Sequence, residues 1–220
     1  MCFSAQADLI GGVVVGGIGF DAARQVRRQH DHLAFAALPL MLAAHQLDEA
    51  FVWWGLQGHV SAGVGHVATW IYLLFAFVVL PTYVPLAVRA LEPPGRRRAV
   101  MTGFAGLGVV VSALLLAAML RGPVTSRIDK YHISYGIDLH AGLIIVTAYV
   151  AATCGAAIFS GYRHIAIFGV VNLIAVAALA RLTINGFASL WCGWAALTSV
   201  AIALHLRFGT GRRTVAQALS

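Results

Sequence analysis

The sequence predicts an all-α polytopic membrane protein of seven transmembrane helices, with its N-terminus outside and its C-terminus cytoplasmic. Three observations carry that reading. Hydrophobic residues make up 60% of the 220 and charged residues 10%, whereas soluble domains carry about 25% charged residues. Mean hydropathy is +0.83. Apolar runs of spanning length recur along the chain, and basic residues gather in alternate loops. No polar stretch is long enough to form a separate soluble domain, so residues 1–220 read as one membrane domain.

A spanning helix needs ~20 mostly apolar residues. Such runs lie at 4–24, 33–57, 64–90, 99–120, 140–160, 164–184 and 186–206. The first has neither a basic leader nor a small-residue cleavage site, so it reads as a retained helix and not a signal peptide. Within it, Gly12 and Gly16 form a small-xxx-small pair that permits close helix approach, inside the chain or in a homodimer. The second holds the polar segment discussed below. The third contains Pro81 and Pro85, which predict a kink or tilt. The segment 121–139 is the longest external loop. Its Asp129, Tyr131, His132, Tyr135 and Asp138 suit a lid over the outer mouth.

Orientation follows from charge. Arg24, Arg27 and Arg28 follow the first run. Arg89 and Arg96 to Arg98 follow the third, Arg163 the fifth, and Arg207, Arg212 and Arg213 the seventh. The opposite side has Arg121, Arg127, Lys130 and Arg181. Basic residues favour cytoplasmic loops, which fixes the topology. The net charge of +7 therefore reads as an orientation signal toward the lipid bilayer and not as a nucleic-acid surface. Lys130 is the only lysine, and the arginine bias suggests a GC-rich bacterial genome and a bacterial cytoplasmic membrane. Lys130 lies in a loop, which excludes a retinal Schiff base within the bundle. Cys2, Cys154 and Cys192 are scattered and odd in number, so they are no disulfide framework.

Residues 45 to 54 read His-Gln-Leu-Asp-Glu-Ala-Phe-Val-Trp-Trp. A carboxylate at bilayer depth costs ~2.5–3.5 kcal/mol, so an intramembrane ionisable residue marks a functional site. On a helix His45 and Glu49 share a face, and Gln46, Glu49 and Trp53 continue that stripe. His-x-x-x-Glu fits metal ligation, a hydrogen-bonded pair or a proton relay alike. With Cys2 and His66, a thiolate, imidazoles and a carboxylate would make a set suited to zinc, iron or copper, or to haem. Gln46, Asp48, Trp53, His140 and Arg181 are expected to line the same outer-half pocket. Arg181, isolated in apolar surroundings, is expected to pair with Asp48 or Glu49 unless it snorkels to the interface.

The opening Met-Cys-Phe-Ser-Ala, with His-Gln-Leu-Asp-Glu-Ala and Trp-Trp in the second span, resembles an uncharacterised family of bacterial multi-pass membrane proteins. Its members share that opening and a Gln-x-x-Glu signature followed by Trp. The matching residues here are Cys2, Phe3, Ser4, Gln46, Glu49 and Trp53. The resemblance implies the multi-span layout and no particular activity. A zinc hydrolase of the alkaline-ceramidase kind needs a His pair on its last span, and here that span has only His205. Three classes of function remain. The first is a metal or haem protein, open to redox chemistry, with its site in the outer half. The second is a small transporter or proton-coupled channel, and the third a non-catalytic sensor or partner subunit. Polar groups crowd toward one leaflet, which favours the first.

Overall fold

The computed structural model describes residues 4–26, 30–129 and 132–182, with Trp194, Thr198 and Ser199. Among the described residues there are six helices. They are α1 (Ala5–Gln25), α2 (His30–Leu56), α3 (Ala62–Leu91), α4 (Arg96–Arg121), α5 (Gly142–Ile158) and α6 (Arg163–Leu182). A two-stranded hairpin, β1 (Thr125–Asp129) and β2 (His132–Gly136), joins α4 to α5. The fold is all-α apart from that hairpin. The helices fall on the first six apolar runs of the sequence to within a turn at each end. The seventh run, 186–206, lies outside the described residues except at Trp194, Thr198 and Ser199.

Among the described residues, α3 and α4 are long and apolar enough to cross a membrane by length and composition, while α5 and Arg163–Ala178 of α6 are apolar but shorter. Ionisable side chains interrupt the first two helices: Asp8, Asp21 and Arg24 in α1, Asp48 and Glu49 in α2.

Short polar signals set the helix starts. Ser4 accepts from the Ala7 amide at 3.2 Å, and Ser61 accepts from the Val64 amide at 3.4 Å, each satisfying a donor that the helix leaves open. α1 and α2 then run antiparallel. A Cβ on Gly19 would meet Leu40, one on Gly16 Ala43, one on Gly12 Leu47, and one on Gly11 the Gln46 amide. The glycine stripe of α1 is thus covered by α2 within the chain.

α3 and α4 approach still more closely. A Cβ on Gly108 would overlap the Pro81 carbonyl, so only glycine fits there. The expected disturbance at Pro81 takes the form of a π-helical turn at Phe75–Val79. Pro81 has no N–H and its ring crowds the carbonyl four residues back, which widens the preceding turn. Neighbours satisfy the carbonyls of that turn. Tyr149 donates to the Ala76 oxygen at 2.8 Å, and Ser112 donates to the Val78 oxygen at 2.7 Å.

The two ends of the bundle differ. At the arginine end lie Arg24, Arg89, Arg96, Arg97, Arg98 and Arg163. There Glu92, 3% exposed, ties two interhelical turns together. It accepts from the Ser160 hydroxyl at 2.6 Å and from the Gly161 amide at 2.7 Å. Tyr162 adds a bond to the Leu91 carbonyl at 3.0 Å. At the other end the hairpin is seated on α2 and α3. Ile133 is wholly buried among Ala5, Ala50, Trp53, Ala68 and Met119, and Thr69 and Ser126 share a hydrogen bond of 3.1 Å. The loop expected as a lid is therefore a docked β-hairpin.

Candidate functional site

The hairpin end encloses the polar residues of α2. Glu49 is 0% exposed, Gln46 1% and His45 6%. Asp48 is half-buried. Trp53 is buried in the apolar cluster beneath the hairpin. Helical spacing distributes these side chains over two faces. Gln46 faces Gly11 of α1, where the missing side chain makes room for its amide. His45 faces α3, with its ring stacked on Tyr72 at 4.0 Å and 20° and tilted on Phe75 at 4.5 Å. Among the described residues, His45 Nδ1, Asp48 Oδ2 and Trp53 Nε1 are buried and make no hydrogen bond.

Asp8 belongs to the same site, although the sequence reading passed over it. It is 0% exposed. The glycine contacts put Gly12 opposite Leu47 and Gly11 opposite Gln46. One turn further toward the hairpin, Asp8 comes level with Glu49. Two wholly buried carboxyl groups from adjacent helices therefore share one depth, with an imidazole a turn below. The signal was available: an acid in an apolar run invites the same inference that singled out Glu49.

Tyr72, also missed, links this site to the surface. It lies between the His45 ring and Tyr135 of β2, stacked on the latter at 4.5 Å and 13°. His45, Tyr72 and Tyr135 form a continuous ladder from α2 to the hairpin.

The expected metal set is not brought together. His66 is exposed and accepts from the Trp70 indole at 3.3 Å. The buried stripe of α3 runs through Gly65, Thr69, Tyr72 and Leu73, and His66 lies off it. His140 is exposed in the turn before α5. Cys2 lies outside the described residues. Among the described residues, no group of three His, Cys, Asp or Glu is placed to hold a metal ion. This leaves His45 and Glu49 of the predicted ligands at the site. Arg181 falls in the last turn of α6, at the hairpin end. Among the described residues that helix packs chiefly on α5; the Arg181 side chain lies outside what is described.

The opening residues and the Gln-x-x-Glu signature resembled an uncharacterised family, and a family comparison decides the point. A family of unknown function (DUF6629) matches residues 1–218. The chain belongs to that family. No curated protein and no solved structure matches the chain. For this DUF6629 member, function has to be argued from the site itself.

Proposed function

We propose that the chain is a small proton-coupled transporter or channel of seven spans, set in the bacterial cytoplasmic membrane with the hairpin end outside. The arginines concentrated at the opposite end support that orientation. Large apolar side chains exposed on every described helix support the multi-pass reading. They include Ile10, Phe51, Ile71, Val110, Ile144 and Ile174. Soluble monomers rarely expose extended apolar surface.

The observation that carries the proton reading is the burial of Asp8 and Glu49 at one level. Carboxylates taken out of water at one level are costly unless partners, a proton or a cation compensate them. Carboxyl groups can take up and release that proton, and ionisable residues of this kind mark proton relays in membrane proteins. His45, one turn toward the arginine end, has two ring nitrogens and can receive a proton on one while releasing it from the other. Gln46 supplies a fixed dipole beside it. The Tyr72–Tyr135 stack and Ile133 limit entry from the outer side.

The test is proton flux in liposomes with a trapped pH dye, driven by a potassium-diffusion potential. Wild-type protein is expected to carry protons. Glu49→Gln and Asp8→Asn are each expected to reduce the flux at least tenfold, and the exposed Asp138→Asn to leave it unchanged. Equal flux in wild type and both carboxyl variants, or none above empty liposomes, refutes the reading.

A further inference from the structure

At the arginine end, two exposed arginines stand over an apolar wall at the corner where α4, α5 and α6 meet. We propose that this corner binds one anionic phospholipid, its phosphate held between Arg97 and Arg163 and its acyl chains laid along Val100, Phe104, Phe159 and Ile167. The inference rests on the membrane reading above, with the arginine end at the cytoplasmic face, and is independent of the proton path.

A missing side chain brings the two cations to one turn. A Cβ on Gly161 would meet Arg97 Nη1, so glycine there lets the guanidinium lie against the turn between α5 and α6. Arg163 opens α6 two residues later. Both arginines are exposed, and among the described residues neither has a hydrogen bond or an ion pair. Nothing local balances them in full. Neither α4 nor α6 has an acid in its first turn, and Arg96 and Arg98 add further positive charge beside Arg97. Glu92 Oε2 lies near the same point, but the Glu92 carboxylate is committed to Ser160 and Gly161 through Oε1. Arg89 is engaged by α4, its Nε donating to the Thr102 hydroxyl at 2.8 Å. A phosphate diester brings the missing negative charge, and a guanidinium meets it with two parallel N–H···O bonds.

Away from the arginine end the same corner turns apolar. Val100 and Phe104 follow Arg97 on one face of α4, at helical spacing. Phe104 packs into α5 where Gly155 leaves room, and its ring meets that of Phe159 at 5.7 Å and 33°. Ile167 lies one turn beyond Arg163 on α6. Val100, Phe159 and Ile167 are all exposed. Cations at one end of an apolar wall complement an amphiphile with an anionic head. A free anion would use the arginines and leave the wall bare, and an acidic peptide would do the same. Basic sites between helices on the cytoplasmic side of membrane bundles hold anionic lipid headgroups in this way.

The test titrates the full chain, in a neutral detergent, with phosphatidylglycerol or with phosphatidylcholine of the same acyl chains, and counts bound lipid by native mass spectrometry. One phosphatidylglycerol is expected to bind at least fivefold more tightly than phosphatidylcholine. Arg97→Gln combined with Arg163→Gln should abolish that preference, and Arg121→Gln at the hairpin end should leave it unchanged. Should the double variant fail to fold, each single variant is read instead and should reduce the preference at least twofold. Glycerol 3-phosphate, a headgroup without chains, should not displace the lipid at millimolar concentration; displacement would overturn the lipid as occupant and leave an anion site only. Equal affinity for the two lipids, or a preference that folded arginine variants retain in full, overturns the site and leaves the membrane reading intact. Failure of wild-type protein to co-float with liposomes of either lipid removes the membrane reading, and this inference with it.

Discussion

Replacing Glu92 by Ala should loosen the arginine end without touching the polar site. The carboxylate accepts from the Ser160 hydroxyl and the Gly161 amide at 2.6 and 2.7 Å, and it is almost wholly buried. Short bonds to a charged acceptor contribute about 1.5–3 kcal/mol each, and a buried donor left unmade costs about 1–3 kcal/mol. Losses at two donors that share one acceptor are not additive, so a total of about 3 kcal/mol is expected. For a chain of this size about 1 kcal/mol shifts the melting temperature by roughly 2–4 °C, which places the expected drop at roughly 6–12 °C. Glu92→Gln keeps one acceptor oxygen and should lose about half as much. The assay is thermal unfolding in detergent, followed by intrinsic tryptophan fluorescence. A melting temperature within a degree of wild type for Glu92→Ala would refute the clasp. So would equal losses for the Ala and Gln variants.

Three further outcomes are expected. Tyr135→Ala removes one partner of the ring stack on Tyr72, worth about 0.5–1.5 kcal/mol; proteolysis within 125–136 should accelerate several-fold while the melting temperature falls little, and unchanged proteolysis would count against a docked hairpin. Gly108→Ala must push α4 off the Pro81 carbonyl, so it should destabilise by about 1–3 kcal/mol, read as early unfolding in detergent; Gly106→Ala, with open space at the same helix, is the matched control. For topology, a thiol introduced at Gly122 should react with an impermeant reagent from the periplasmic side and one at Gly95 should not. The reverse pattern would invert the orientation.

The helices were legible because apolar runs of the right length are hard to mistake, and Arg-rich turns mark where they end. Glu49 was legible for the opposite reason, since a carboxyl group within such a run demands an account. Asp8 should have been read by that rule. What concealed its place was the pairing of α1 with α2, which the glycine stripe hints at but whose register only packing fixes. His66 shows the limit more sharply. In α3 the exposed face carries Val64, Val67 and Ile71, and the buried face Ala68, Tyr72 and Leu73. Both faces are apolar, so the 3.6-residue period that reveals a core-facing stripe in a soluble helix has little contrast. Nothing in the order of residues told His66 from Tyr72, and the site went to the tyrosine. The hairpin was hidden in a loop because its strands are short. The polar–apolar alternation of Arg127 to Asp129 and His132 to Tyr135 was its one sign.

The docked hairpin also dictates an order of assembly. Thr69 and Ser126, which bond across the roof of the site, are 57 residues apart, and α4 lies between them. While α1, α2 and α3 leave the ribosome, their polar groups have no roof. Ile133 and Tyr135 arrive only after a complete further helix has been threaded. Biogenesis therefore passes through a stage in which the acids of the first two helices are unsealed, and a chain truncated before residue 125 would be held there. An insertion machinery or chaperone that shields intramembrane acids would have its longest hold on this protein during that interval.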